Sequence, residues 1–304
     1  MMQQKPQVLI TGASGFIGQH LAAYLTQQGY QVIGLTRNPN RSSSQAGLRY
    51  IHRLEQISQE PIDYVINLAG ENIGQSRWTE KRKLELINSR IETTRQVFEW
   101  LQQNRIQPHR IISGSAIGYY GIDPQEQWSE YCNESSPPQD IFMSELCQRW
   151  EHQAKNNSGQ QVSIIRLGVV FARNGGILSQ MLMPIRFNLV GKIGHGRQPV
   201  TWIHINDVVR AITFILQQPE AKAVYNLVAP EQGTQRKFVE IAAAKLHKKP
   251  LLSMPACVMK TMLGEQSQLV LNGQFVMPQA LLEQGFEFQY PDLNSALTDL
   301  LDEK

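Results

Sequence analysis

The stretch Val8-Leu9-Ile10-Thr11-Gly12-Ala13-Ser14-Gly15-Phe16-Ile17-Gly18 decides the reading of this chain. Three apolar residues make a short buried strand. Glycines follow at three-residue spacing, and Gln19 to Gln28 has the amphipathic pattern of a helix that stops at Gly29. Glycines in such a turn let the backbone bend sharply and approach a diphosphate closely. The helix behind them offers unpaired N–H groups and the positive end of its dipole to that anion. Glycine triplets alone are common. This one lies between a strand and a helix, with a second strand, Gln31 to Leu35, at the distance the unit requires. The expectation is a dinucleotide site formed by Gly12, Ser14, Gly15, Phe16, Ile17 and Gly18; the alternative is a plain structural turn.

Working outward, strand-like and helix-like segments alternate through the first two-thirds of the chain, the pattern of a parallel α/β sheet. Asn38 to Gly47 is a polar, serine-rich loop. Asp63 to Gly70 reads as a buried strand that breaks at its glycine. Thr79 to Gln103 reads as a long surface helix capped by Thr79, Arg110 to Gly114 as a strand, Ile141 to Asn156 as a helix and Val162 to Leu167 as a strand. Gly175, Gly176, Gly191, Gly194 and Gly196 then punctuate a loop-rich segment. After Thr201 to Ile205, Asn206 and Asp207 are expected to cap a helix running to Gln217, and two further helices follow position 230. The predicted fold is α/β, a doubly wound parallel sheet (Rossmann) over residues 1–229. A smaller C-terminal substrate lobe over 230–304 completes it, with 171–200 contributing to that lobe.

Composition narrows the function classes. The chain has 304 residues, 41% apolar and 18% charged, ordinary for a soluble globular protein with an ample core. A net charge of +3 without a basic stripe argues against a nucleic-acid partner. Cys132, Cys147 and Cys257 are an odd number with no metal-ligand spacing, so reduced thiols in a cytoplasmic protein and no metal are expected. Met1 to Gln7 runs into the first strand, so no secretory signal is expected, and no apolar run in the sequence is long enough to span a membrane as a helix.

The second strand indicates which nucleotide. In dinucleotide folds a carboxylate at its end accepts from the adenosine 2′-hydroxyl, whereas a cation accommodates a 2′-phosphate. Here it ends Gly34-Leu35-Thr36-Arg37-Asn38, with no acid, and Arg41, Ser42 and Ser43 follow as possible further donors. NADP(H) is therefore favoured over NAD(H); the competing reading is a surface arginine beside a loop.

These residues resemble the extended short-chain dehydrogenase/reductase superfamily through Thr11 to Gly18, Asn67-Leu68-Ala69-Gly70 and Trp202-Ile203-His204-Ile205-Asn206-Asp207. More narrowly, the chain resembles the YfcH-type epimerase family, an atypical branch with a C-terminal domain of unknown function. Gly70-Glu71-Asn72-Ile73, Arg77-Trp78, Ile87-Asn88-Ser89-Arg90, Ser113 to Gly121, Trp150-Glu151, Gly194-His195-Gly196-Arg197-Gln198, Pro278 to Leu282 and Gly285 to Phe288 carry that likeness. The resemblance implies NADP(H) binding, with Leu68, Ala69, Gly70, Ser113, Leu167 and Gly168 completing the cofactor set, and by analogy a homodimer. It names no substrate.

Members of the wider superfamily use a serine or threonine with a Tyr-x-x-x-Lys pair, the lysine lowering the phenol pKa for proton exchange beside hydride transfer. Ser115 matches the serine, with Ser113 as a competitor. The pair is missing: Phe142 or Met143 stands at the tyrosine position and Leu146 or Cys147 at the lysine position. Tyr119 and Tyr120 are the substitutes that sequence offers, each equally readable as packing. Glu71 could serve as base, ribose contact or loop cap, and His204 reads as structural. Arg77, Arg82 and, from the glycine-rich loop, Arg197 could hold an anionic small-molecule substrate; the alternative is a solvated face. The leading expectation is an NADP(H)-binding oxidoreductase or epimerase-like enzyme. The alternative is a non-catalytic NADP(H)-sensing or scaffold protein.

Overall fold

Leu9 and its neighbours explain the architecture. In the computed structural model, which describes residues 5–43, 45–156 and 159–302, the first strand β1 (Gln7–Thr11) sends Val8 and Ile10 to one face and Leu9 to the other. All three are fully buried. A strand covered on both faces is apolar throughout, as parallel sheets require. Helix α1 (Phe16–Gln27), β2 (Gln31–Leu35), β3 (Leu48–Ile51), β4 (Tyr64–Asn67), α2 (Glu80–Gln103), β5 (Arg110–Ala116) and α3 (Phe142–Lys155) follow. The strands Val162–Leu167 and Val224–Leu227 complete a seven-stranded sheet. From edge to edge the order is Val224–Leu227, Val162–Leu167, β5, β4, β1, β2, β3, every pair parallel. The chain runs outward from β1 to β3, then restarts at β4 on β1's other side. The doubly wound sheet expected from sequence is present, and its switch point lies between β1 and β4, where ligands bind in such sheets.

The two helix layers follow from side-chain alternation. Leu21, Ala22 and Leu25 of α1 pack with Val208, Val209, Ile212 and Ile215 of a later helix, Ile205–Gln217, on the face of Val8 and Ile10. Val97, Phe98 and Leu101 of α2 pack on the face of Leu9, Val65 and Ile111. A separate apolar core joins Phe171, Leu178, Leu182 and Trp202 to Phe238, Ala242, Leu293 and Leu297. Segments 171–202 and 229–300 thus share one core. Ala280, Leu281 and Phe286, however, return to the sheet's own core, so residues beyond 230 serve both bodies.

Several local expectations need correction. Helix α1 starts at Phe16, not Gln19, because Gly15 in an extended conformation ends the turn. The edge strand β3 lay unrecognised: Leu48-Arg49-Tyr50-Ile51 is short and only Ile51 is buried. His204, not Asn206 or Asp207, caps the helix Ile205–Gln217, its Nδ1 accepting the Asn206 N–H at 3.1 Å. Asp207 is instead fully buried and accepts the N–H groups of Gln289 and Tyr290 at 2.8 and 2.9 Å, tying the C-terminal segment to the sheet. Beyond position 230 there are more helices than two, among them Gln235–Lys245, Ala256–Leu263 and Leu293–Leu301. Ser44 of the serine-rich loop and the first four residues lie outside the described residues. Among the described residues no helix is long and apolar enough to cross a membrane, and no cluster of metal-ligating side chains occurs.

Candidate nucleotide cleft and active site

The cleft at the switch point is built from strand ends and one glycine turn. Gly12 adopts φ +67°, a conformation open to glycine, and a Cβ there would lie 2.9 Å from the Leu68 carbonyl oxygen. A Cβ on Gly18 would come within 2.2 Å of the Gly12 carbonyl oxygen, so this glycine seats α1 against the turn. No side chain caps α1 and no acid stands in its first turn. Its leading N–H groups and dipole are therefore left for an anion.

A cleft of about 360 Å³ opens beside this turn, lined by Gly12, Ser14, Gly15, Arg37, Leu68, Ala69, Gly70 and Glu71 among the residues expected from sequence. Phe16, Ile17 and Gly18 support it from α1, Phe16 packing under Gly175 and Gly176. Ser113 is fully buried midway along β5, its Oγ without a partner among the described residues, and Leu167 and Gly168 lie at the end of the adjoining strand. Sequence reading missed Thr36, His52, Ser89, Thr93 and Gln96, which line the same cleft. Ser89, Thr93 and Gln96 recur at helical spacing on α2, a polar stripe that was legible. His52 follows the unrecognised β3, and its buried Nδ1 also has no partner among the described residues. An open glycine cradle, an uncapped helix end and orphaned polar atoms fit a dinucleotide.

At the mouth, Arg37 Nη1 donates to Glu71 Oε1 at 2.7 Å. That hydrogen bond and the neighbouring cations hold the Glu71 carboxyl below its ordinary range. Glu71's backbone is fixed: its N–H donates to Ser89 Oγ at 3.1 Å and its carbonyl accepts from Arg90 Nη2 at 3.0 Å. Arg90 stacks over Trp150, and its burial lowers its pKa.

The expected catalytic residues are occupied elsewhere. Ser115 is buried and donates to Glu151 Oε1 at 2.8 Å. Arg166 bridges the same carboxylate, Nε to Oε1 at 2.7 Å and Nη2 to Oε2 at 2.9 Å. Its Nη1 donates to the Tyr120 hydroxyl at 2.8 Å, which in turn donates to Asn226 Oδ1 at 2.7 Å. Burial opposes the Arg166 charge, yet Glu151 holds its pKa above the ordinary value. Burial pushes the Tyr120 phenol up to about 12. Tyr119 lies under the Arg166 guanidinium, 3.4 Å from ring centre to Cζ, and faces an open depression shared with Ile91, Gln148 and Lys155. None of these three residues lines the cleft. Of the candidates for the dyad positions, Met143 and Cys147 pack on Gly118, and the Cys147 thiol donates to the Ala116 carbonyl at 3.6 Å. Ser115 and Tyr120 are thus both engaged in one buried hydrogen-bond network.

The substrate cations are also accounted for. Arg77 donates to the Thr261 and Met262 carbonyls, at 2.7 and 2.6 Å from Nη2, at the end of helix Ala256–Leu263. A helix C-terminus attracts a cation, and this one engages the guanidinium for which sequence left open a substrate contact or a solvated face. Arg82 bonds the Asn72 carbonyl at 2.8 Å and Glu85 at 3.1 Å. Both arginines brace the 70–78 loop that carries Glu71. Arg197 is exposed at a loop tip, away from this cleft.

With this geometry in view, the model of the NAD dependent epimerase/dehydratase family matches residues 8–228. The chain belongs to that family. A domain of unknown function, DUF1731, matches residues 254–300. Epimerase family protein YfhF of Bacillus subtilis is 33% identical over 305 residues, covering 97% of each chain. The crystal structure of human epimerase family protein SDR39U1 with NADPH superposes with a TM-score of 0.86 at 30% identity, over 97% of this chain and 98% of that one. UDP-glucuronic acid 4-epimerase of Bacillus cereus, solved with NAD, shares the fold at a TM-score of 0.75 and 18% identity, over 97% and 98% of the two chains.

Proposed function

We propose that this epimerase/dehydratase-family protein binds NADP(H) in the switch-point cleft and acts as an oxidoreductase or epimerase-like enzyme on a small polar substrate. One observation carries the cofactor reading: Arg37 follows the end of the second strand at the cleft mouth, with no acid from Gln31 to Gly47. The NADPH bound by the human relative supports it. Gly12, Ser14 and Gly15 would hold the diphosphate at the α1 N-terminus and Arg37 the 2′-phosphate. The nicotinamide supplies hydride transfer when bound. Calorimetric titration should give tighter binding of NADPH than of NADH, and Arg37→Asp should remove the difference. Equal affinities in the wild type would refute the preference.

A second reading, nucleotide sensing without turnover, has its own support. Ser115 and Tyr120 are held by Glu151, Arg166 and Asn226, and the proton-transfer pair is replaced by Phe142 or Met143 and by Leu146 or Cys147. NADPH oxidation across a panel of carbonyl compounds and sugar nucleotides separates the two. Turnover with any of them rejects sensing, whereas tight binding with none favours it.

A further inference from the structure

The carboxylate missing from the second strand is supplied from another part of the chain. Glu71 is the one acidic residue among those lining the cleft. It arrives from the loop after β4, 34 residues beyond the arginine it contacts. Its backbone is pinned to α2 through Ser89 and Arg90, and a side chain on Gly70 would press on Arg90, 3.1 Å from Cζ. Arg37 is the more exposed partner, with 89% of its side chain accessible against 26% for Glu71. The site therefore holds both elements of nucleotide choice, an exposed cation and a carboxylate on an anchored backbone, paired at 2.7 Å.

Resting on the NADP(H) reading above, we infer that Glu71 is a specificity-determining residue that sets the balance between 2′-phosphorylated and 2′-hydroxyl adenine nucleotides. A 2′-phosphate must draw Arg37 away from Glu71 and sit beside a carboxylate whose charge opposes its own. A 2′-hydroxyl needs an acceptor, and Glu71 is the carboxylate within the cleft able to provide one. Glu71 thus weakens the preference that Arg37 creates and leaves NAD(H) a usable partner. Specificity arises from the opposing element as much as from the attracting one.

The test uses ligands that report on the adenosine end alone. Adenosine 2′,5′-bisphosphate and AMP, then NADPH and NADH, are titrated calorimetrically into wild-type, Glu71→Gln, Glu71→Asp and Arg37→Met proteins. Glu71→Gln should tighten the 2′-phosphorylated ligands relative to their 2′-hydroxyl counterparts by about fivefold, the upper range for a partly exposed charge pair. Glu71→Asp should stay near the wild-type ratio, and Arg37→Met should shift the ratio the opposite way. A Glu71→Gln ratio within twofold of wild type, or moved toward NADH, overturns the assignment while leaving NADP(H) binding intact. Wild-type protein that binds none of the four ligands overturns the nucleotide reading and this inference with it.

Discussion

Replacing Arg166 by methionine tests whether the residues expected to be catalytic are structural instead. Arg166 and Glu151 are each 3% exposed in their side chains. The substitution removes both guanidinium bonds to the Glu151 carboxylate and the bond to the Tyr120 hydroxyl, while filling a similar volume. Glu151 keeps Ser115 at 2.8 Å and Lys155 at 3.2 Å, and Tyr120 keeps Asn226. Breaking a buried pair by removing one partner costs about 3–5 kcal/mol, because the remaining charge is left in a poorly solvating interior. With two bonds to Glu151 retained, about 4 kcal/mol is expected. At ~2 °C per kcal/mol for a large domain, Tm should fall by roughly 8 °C. Adding Glu151→Gln removes the stranded charge, so the double variant should recover at least ~2 kcal/mol and the cycle should be strongly non-additive. Urea unfolding followed by tryptophan fluorescence gives all four stabilities, and nucleotide titration of each variant should show unchanged affinity. An Arg166→Met variant within about 1 kcal/mol of wild type, or an additive cycle, would refute the reasoning.

Other consequences follow from the same contacts. Gly18→Ala forces a Cβ to within 2.2 Å of a backbone oxygen and 2.7 Å of the Ala13 Cα. It should cost about 3 kcal/mol and abolish NADPH binding, and a variant that titrates normally would remove Gly18 from the cradle. Asp207→Asn weakens the carboxylate's bonds to Gln289, Tyr290 and Arg210. A loss of about 2 kcal/mol is expected, with faster proteolysis within the last twenty residues, and unaltered digestion would argue against the tether. Tyr120, held at about 12 in the folded chain against ~10 unfolded, contributes stability that is complete below pH ~10 and lost as pH rises toward 12. Unfolding free energy should therefore fall over that window more steeply in wild type than in Tyr120→Phe; parallel curves would contradict it.

How far the sequence could be read depended on how local the physics was. The glycine turn, the apolar strands and the Thr79 cap are fixed by backbone sterics and by spacings of a few residues, so β1, α1, β2 and α2 were legible. The edge strand β3 was not, because its stability comes from register with β2 and not from an apolar run of its own. Ser115 shows the same limit at the site. Its position near the end of a strand suggested chemistry, but Glu151 arrives from α3 to accept from its hydroxyl and is itself held by Arg166 of Val162–Leu167.

By itself, then, the sequence determined the cradle: Gly12 and Gly15 between a strand and a helix, Gly18 in that helix's first turn, and Arg37 in the place of an acid. Those features depend on conformations of neighbouring residues. Only the tertiary structure decided the company that cradle keeps. It brought Glu71 across the cleft to Arg37, turned Arg77 toward a helix end, and buried Ser115 and Tyr120 in a charged network. Charges interact through space, and which ones meet is set by how the sheet and its helices pack.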